Sequence, residues 1–285
     1  MTRRWELVET PPQLAKAEKT IRDARIVALD TEYDSFRYFR DKLCLLQIQT
    51  GEKTWLIDPL AGLDLSFLGE VLIDPAVLKI LHAGDNDIRI LKRDYAFAFR
   101  NIFDTHRAAS LLGNRELALC KLLEAYLGVT LEKKLQRSRW DLRPLTDEQL
   151  EYAALDTVYL PALCRKLDAE LREKGLIQQA EQVFAGMTAV TWQPRALDRL
   201  AHRKIPGYGS LTLEQKERLR GLFRWRFEKA QAIDRAPFMI LSDHHLVGLA
   251  KLEVPSLDAM GAEGLLPPEK VQRFGPEILR LFQEA

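Results

Sequence analysis

Asp30 and Glu32 stand two residues apart at the end of the apolar run Arg25-Ile26-Val27-Ala28-Leu29. Side chains alternate along a strand, so positions i and i+2 project to one face. If the strand runs on through them, two carboxylates are held side by side where the preceding residues predict burial. Like charges buried together are costly without a compensating cation. Oxygen-only ligands suit Mg²⁺ or Mn²⁺ rather than zinc. If the strand stops at Leu29 instead, both acids are solvated in a loop, the ordinary place for acidic residues.

A second acidic group, His82-Ala83-Gly84-Asp85-Asn86-Asp87, precedes Ile88-Arg89-Ile90-Leu91. Either aspartate suits the positive end of the following helix, and Asp85 as cap with Asp87 as ligand is the alternative reading. The residues alone do not choose between them, and His82 is equally readable as a strand-end histidine. The third group follows Thr146-Asp147-Glu148-Gln149, a capping box that predicts a helix start. Tyr152 and Asp156 then lie four apart, one turn above each other on one helix face. Such a pair is either a structural hydrogen bond or a phenol poised beside a metal ligand.

These groups need a frame. Residues 25–30, 43–50, 53–58 and 77–82 read as short buried strands, the second and third joined by the Gly51-Glu52 turn and hence antiparallel. Residues 63–72, 85–94, 104–112, 117–127 and 147–174 read as helices. Strands first and helices after predict a mixed-sheet α/β fold. Residues 186–210 hold Pro194, Pro206, Gly207 and Gly209 without a sustained apolar period, and read as a linker. Beyond them, Thr212-Leu213-Glu214-Gln215 is a capping box opening a helix to about residue 233, and Ser242 caps another, giving a small all-α helical bundle.

Lys and Arg number 42 and Asp and Glu 41 in 285 residues, a formal net charge of +1. The balance hides an asymmetry: residues 1–185 carry 27 basic and 29 acidic side chains, residues 186–285 carry 15 and 12. Between Arg195 and Lys229 ten basic residues face four acidic ones, a local +6 that suits a polyanion. Tyr208 and Trp225 lie among them and Trp192 just before them; they either stack on bases or, as the spacing of Trp225 favours, pack in the helical bundle. A hydrophobic fraction of 47% with 29% charged residues excludes disordered and collagen-like classes. No run nears the roughly 20 apolar residues that span a bilayer, and residues 1–12 lack the apolar middle of a signal peptide. Cys44, Cys120 and Cys164 are odd in number and set among apolar neighbours, so reduced thiols and a cytoplasmic location are expected. No Cys or His pair has zinc-ligand spacing, since His244 and His245 are adjacent. There is also no Gly-rich phosphate loop and no Gly-x-Ser-x-Gly turn.

Taken together, Asp30-x-Glu32, His82-x4-Asp87-Ile88-x2-Leu91 and Tyr152-x3-Asp156 resemble the three motifs of the DEDDy 3′→5′ exonucleases, and within them ribonuclease D and its exosome-associated relatives. Leu43-x-Leu45-Leu46-Gln47-Ile48, Phe103-Asp104-Thr105 and Gln136-x-Ser138-x-Trp140-x2-Arg143-Pro144-Leu145 extend the resemblance through residues 5–180. Arg139 before Trp140 departs from the acid the family commonly places there. In residues 211–285, Leu222-x2-Trp225-Arg226-x3-Ala230, Ala236-Pro237-Phe238-x-Ile240-Leu241-Ser242-Asp243, Leu246-x2-Leu249-Ala250 and Phe274-Gly275-x2-Ile278-Leu279 resemble a single helicase-and-RNase-D C-terminal (HRDC) domain.

The resemblance implies a ribonuclease H-like mixed sheet flanked by helices in residues 1–185, a linker over 186–210 and a nucleic-acid-binding bundle over 211–285. It selects Asp87 over Asp85 as the third ligand. Asp30, Glu32, Asp87 and Asp156 are then expected to hold two divalent ions, Mg²⁺ or Mn²⁺, while Tyr152 orients the attacking water. The implied reaction releases 5′-mononucleotides from an RNA with a free 3′ end. The competing readings are a DNA 3′→5′ exonuclease acting on single-stranded DNA and a catalytically silent binding module.

Overall fold

The computed structural model describes residues 4–131 and 135–283; Met1–Arg3 and the last two residues of the expected helical domain lie outside this range. The described chain divides into two units, residues 1–34 with 42–193 and residues 35–41 with 194–285.

The first unit opens with β1 (Trp5–Val8) and α1 (Pro11–Arg22), whose start combines Thr10, two prolines and a Gln13 capping box. Next come β2 (Ile26–Asp34), β3 (Lys42–Thr50), β4 (Lys53–Ile57), α2 (Phe67–Ile73), β5 (Leu78–Leu81), α3 (Asp85–Tyr95) and β6 (Ile102–Asp104). Helices α4 (Thr105–Leu111), α5 (Leu119–Leu127), α6 (Asp147–Val158), α7 (Leu160–Glu173) and α8 (Ile177–Met187) complete it. The sheet order is β1-β4-β3-β2-β5-β6. The β2–β3–β4 meander is antiparallel, while β1, β5 and β6 join in parallel, so the expected mixed sheet is present.

Alternation sorts the core. Leu29, Leu46, Ile48, Trp55 and Ile57 turn to one face and pack with α1, α2 and α3 through Ile21, Phe67 and Ile88. On the other face, Leu45 and Leu56 meet Trp140 and the α6 residues Leu150, Ala153 and Ala154. Ala28, Ile80 and Phe103 meet a further apolar group from α4, α5, α7 and α8.

Three readings change. Strand β2 does not end at Asp30 but continues to Asp34, because β3 goes on pairing with it through a register shift between Glu32 and Tyr33. The single helix expected over 147–174 is two, α6 and α7, meeting at Tyr159 with Pro161 in the first turn of α7. Elements β1, α1, β6 and α8 are additional to those the sequence pattern predicts: β1 and β6 are only four and three residues long, too short to show a period.

In the second unit, α9 (Leu213–Ala232), α10 (Pro237–Ile240), α11 (Asp243–Ala250), α12 (Leu257–Gly261) and α13 (Pro268–Gln283) form the all-helical region. The expected caps are there, Thr212 accepting from the Gln215 amide and Ser242 from that of His245. Leu222, Trp225, Leu246, Leu249, Phe274 and Ile278 share one buried core. Trp225 is core, only 8% exposed, with its ring edge-on to Phe274 and its indole N–H donating to Glu277 at 3.0 Å. Residues 35–41 add Phe39 to this core against Phe227, and the Arg37 carbonyl accepts from the Ala236 amide at 3.0 Å.

Candidate active site

Parallel pairing of β2 with β5 stops at Ala28 and Ile80, whereas β2 continues beside β3 to Asp34. The far half of β2 therefore has one edge free of sheet partners, and it is this half that carries Asp30 and Glu32. Both project to the face covered by α6, and α6 brings Asp156 to them. One carboxylate oxygen from each of Asp30, Glu32 and Asp156 lies within 4.8 Å of the other two. All three remain partly accessible to solvent.

Asp87 arrives separately, in the first turn of α3, and is 6% exposed. It is not one of the set drawn together within 4.8 Å. Its carboxylate accepts a hydrogen bond from the hydroxyl of Thr31, the residue between Asp30 and Glu32. Asp85 is held elsewhere, both of its oxygens 2.8 Å from one nitrogen of Arg107. The α3 start is tied down by Asp104, fully buried, which accepts from the Gly84 amide at 2.9 Å and the Arg107 amide at 2.8 Å. His82 lies 2.9 Å from the Thr105 hydroxyl, a structural contact at the end of β5.

Helix α6 is anchored on both sides. Before it, Arg143 forks onto Asp58 and reaches the Cys44 carbonyl at 2.6 Å, pinning the approach segment to the sheet. Gln149 closes the capping box through its side-chain oxygen and donates to the Ser138 hydroxyl at 2.8 Å. Trp5 of β1 donates its indole N–H to Glu151. The Arg139 departure is absorbed locally by Asp141, 2.8 Å away. Tyr152, one turn before Asp156, sits with its ring centroid 6.1 Å from that of buried Trp140.

The electrostatics are those of acids crowded together in a protein wall. Burial, reinforced by the neighbouring carboxylates, pushes Asp30 and Glu32 well above the usual carboxylate range. Burial raises Asp156 to about 7 and Asp87 to about 6. It likewise raises the Tyr152 phenol, and Asp156, Glu32 and Asp30 push it further, so the phenol is neutral at physiological pH. Among the described residues, no Lys or Arg lowers any of these four carboxylates appreciably. Excess negative charge with oxygen donors alone fits a hard divalent cation.

Sequence reasoning names all five of these side chains but misses Thr31 and the role of Asp104. Thr31 is visible only as the spacer in Asp30-x-Glu32, and no local pattern shows that it meets α3. The basic segment also reads differently in three dimensions. Arg218, Arg220 and Arg224 pair with Glu214, Glu217 and Glu228 along α9, and Arg226 is buried against Asp243. The exposed remainder includes Arg195, Arg199 and Arg203.

Residues 5–172 match the 3′-5′ exonuclease family and residues 215–281 the HRDC domain. Ribonuclease D of Shewanella sp. (strain ANA-3) is 35% identical over 266 residues, covering 91% of this chain and 67% of that protein. The exosome complex component 10 homolog of Drosophila melanogaster is 32% identical over 252 residues, 86% of this chain but 28% of the fly protein. The chain thus spans under a third of that relative's length. The crystal structure of Escherichia coli RNase D, an exoribonuclease involved in structured RNA processing, superposes with a TM-score of 0.72 at 30% identity, over 99% of this chain and 75% of that one. The match to the exonuclease family over residues 5–172 and the 35% identity to a ribonuclease D show the family: the chain belongs to the ribonuclease D family of 3′-5′ exonucleases.

Proposed function

We propose that the chain is a 3′→5′ exoribonuclease that shortens RNA from a free 3′ end and releases 5′-mononucleotides. The observation that carries this reading is the convergence of Asp30, Glu32 and Asp156 oxygens within 4.8 Å, with Tyr152 one helical turn from Asp156. The family is divalent-metal dependent, and the donor set fits that requirement. Asp30, Glu32, Asp87 and Asp156 would hold two ions, Mg²⁺ or Mn²⁺. When bound, such ions supply a nucleophile at neutral pH and offset the charge gathering on the leaving oxygen.

The protein's own groups do the remaining work. Thr31 holds Asp87 against β2, near enough for the charge of the fourth acid to act on Asp30 and Glu32. Tyr152 keeps its proton, and its hydroxyl orients the attacking water as a hydrogen-bond partner rather than as a base. Its raised pKa supports that assignment.

Residues 1–185 are assigned the chemistry, 186–210 the linker, and 211–285 the holding of RNA upstream of the scissile bond. The exposed Arg195, Arg199 and Arg203 favour additional phosphate contacts in the linker itself. Precursor transfer RNA or other RNA 3′ ends are the proposed substrates, in the cytoplasm. No helix among the described residues is long and apolar enough to cross a membrane.

The deciding experiment gives the purified protein 3′- and 5′-labelled single-stranded RNA and DNA of matched sequence with Mg²⁺, Mn²⁺ or chelator. Stepwise shortening of RNA that stops in chelator is the expected result. Equal shortening of DNA would replace the substrate class, and binding without shortening would make the chain a silent nucleic-acid-binding module.

A further inference from the structure

Gln47 lies in the middle of β3, and its Cα is the register partner of Asp30. Register partners in an antiparallel pair direct their side chains to the same face. The Gln47 carboxamide is therefore on the Asp30 side of the sheet, under α6. On its other flank it is in register with Leu56 of β4, which packs with Trp140, Ala153 and Ala154. The side chain is completely buried, and neither its nitrogen nor its oxygen has a hydrogen-bond partner within the protein. Gln49, the next residue on this face, behaves ordinarily: it donates to the Gly51 carbonyl at 2.8 Å and accepts from the Thr54 hydroxyl.

A buried amide without partners costs about 1–3 kcal/mol, and an apolar side chain of similar shape would avoid that cost. Leu45 and Leu56 show that the surroundings accept apolar groups. The fold itself therefore gives the amide no use, and its use must lie in the site beside it. The group next to it in register is the carboxylate of Asp30. An ionised carboxylate offers about four acceptor sites, and a cation occupies only part of them. Protein donors that take up the rest fix the ligand's orientation and are worth about 10–100-fold in metal affinity.

Building on the proposed metal-dependent function, we infer that Gln47 is a positioning residue whose carboxamide serves the Asp30 carboxylate when that carboxylate takes a divalent cation. It touches neither substrate nor reacting atoms. It acts by holding Asp30 in one orientation, and its lack of other protein partners leaves the amide free for that role.

The test compares the full-length protein with Gln47→Met, which keeps an unbranched side chain and removes the amide. Mg²⁺ and Mn²⁺ binding is read by isothermal titration calorimetry and by the cation-induced rise in Tm, without substrate. The expected result is cation affinity weakened about 10–100-fold while the cation-free Tm is unchanged or higher. Gln47→Asn, which retains the amide but draws it back by one methylene, should fall between the two. It serves as the readout if the methionine variant does not fold. Wild-type cation affinity in the variant that folds would overturn the assignment. A wild-type protein that binds no divalent cation would instead overturn the proposed function itself, so the two failures are distinct.

Discussion

Thr31 donates its hydroxyl hydrogen to the carboxylate of Asp87, joining β2 to the first turn of α3 across 56 positions of sequence. Asp30 and Glu32 point to one face of β2 and Thr31 to the other. The strand thus presents two acids from one side and grips a third acid from the other. The free edge of β2 beyond Ala28 is what permits both at once.

That grip is testable. Thr31→Val keeps the shape of the side chain and deletes the donor. The protein should stay folded by circular dichroism while turnover on a 3′-labelled oligoribonucleotide falls about 10–100-fold, the usual cost of losing a partner behind a metal ligand, the role proposed for Asp87. Thr31→Ser should restore most of it. Wild-type turnover in Thr31→Val would remove the residue from the site.

Asp30→Asn should lower metal-dependent hydrolysis by more than about 100-fold, since it alters a proposed ligand rather than a supporting group. Its effect on stability should have the opposite sign. Asp30 and Glu32 are raised well above their ordinary range, Asp87 to about 6 and Asp156 to about 7, chiefly by burial. The cation-free folded protein therefore binds protons more tightly than the unfolded chain does. That contribution to stability is full below about pH 4, the unfolded carboxylate value, and is lost as the pH rises through about 7. Removing one charge should relieve the loss. In chelator, the Tm of Asp30→Asn relative to wild type should be higher at about pH 8 than at about pH 5, each kcal/mol relieved being worth about 2–4 °C. Differential scanning calorimetry at the two pH values checks this, and a pH-independent gap would refute it.

Tyr152→Phe removes the phenol hydroxyl and leaves the ring against Trp140. Turnover should drop on the order of 100-fold, with cation binding by calorimetry unchanged. Loss of cation binding would show the hydroxyl to be part of the ligand shell instead.

Arg199 and Arg203 are exposed and carry the proposed RNA contacts outside the catalytic unit. Replacing both with alanine should weaken binding of a single-stranded RNA long enough to reach them. The slope of log K against log salt should fall by about 0.7 for each phosphate the variant no longer neutralises. Cleavage of a very short oligonucleotide should be unaffected. An unchanged slope would place the RNA-binding charges elsewhere.

Local pattern carries a large part of this protein. The capping boxes at Thr146 and Thr212, the apolar strand leading to Asp30 and the Tyr152–Asp156 spacing are consequences of 2-residue and 3.6-residue periods, so they are readable from neighbours in the chain. What periodicity cannot report is where a strand loses its partner, or which side chain meets which across the sheet. The continuation of β2 to Asp34 depends on β3, whereas the split at Tyr159 has a local mark in Pro161, in the first turn of α7. The Thr31–Asp87 bond and the stranded amide of Gln47 exist only because β2, β3 and α3 are brought together. The +6 of the basic segment shrinks for the same reason, as Arg218, Arg220 and Arg224 find glutamates one helical turn away and Arg226 finds Asp243. The residue types and their order specified the chemistry the chain carries. Long-range pairing, which no local window contains, decided which acids converge, which charges remain available and which polar groups are left without a protein partner.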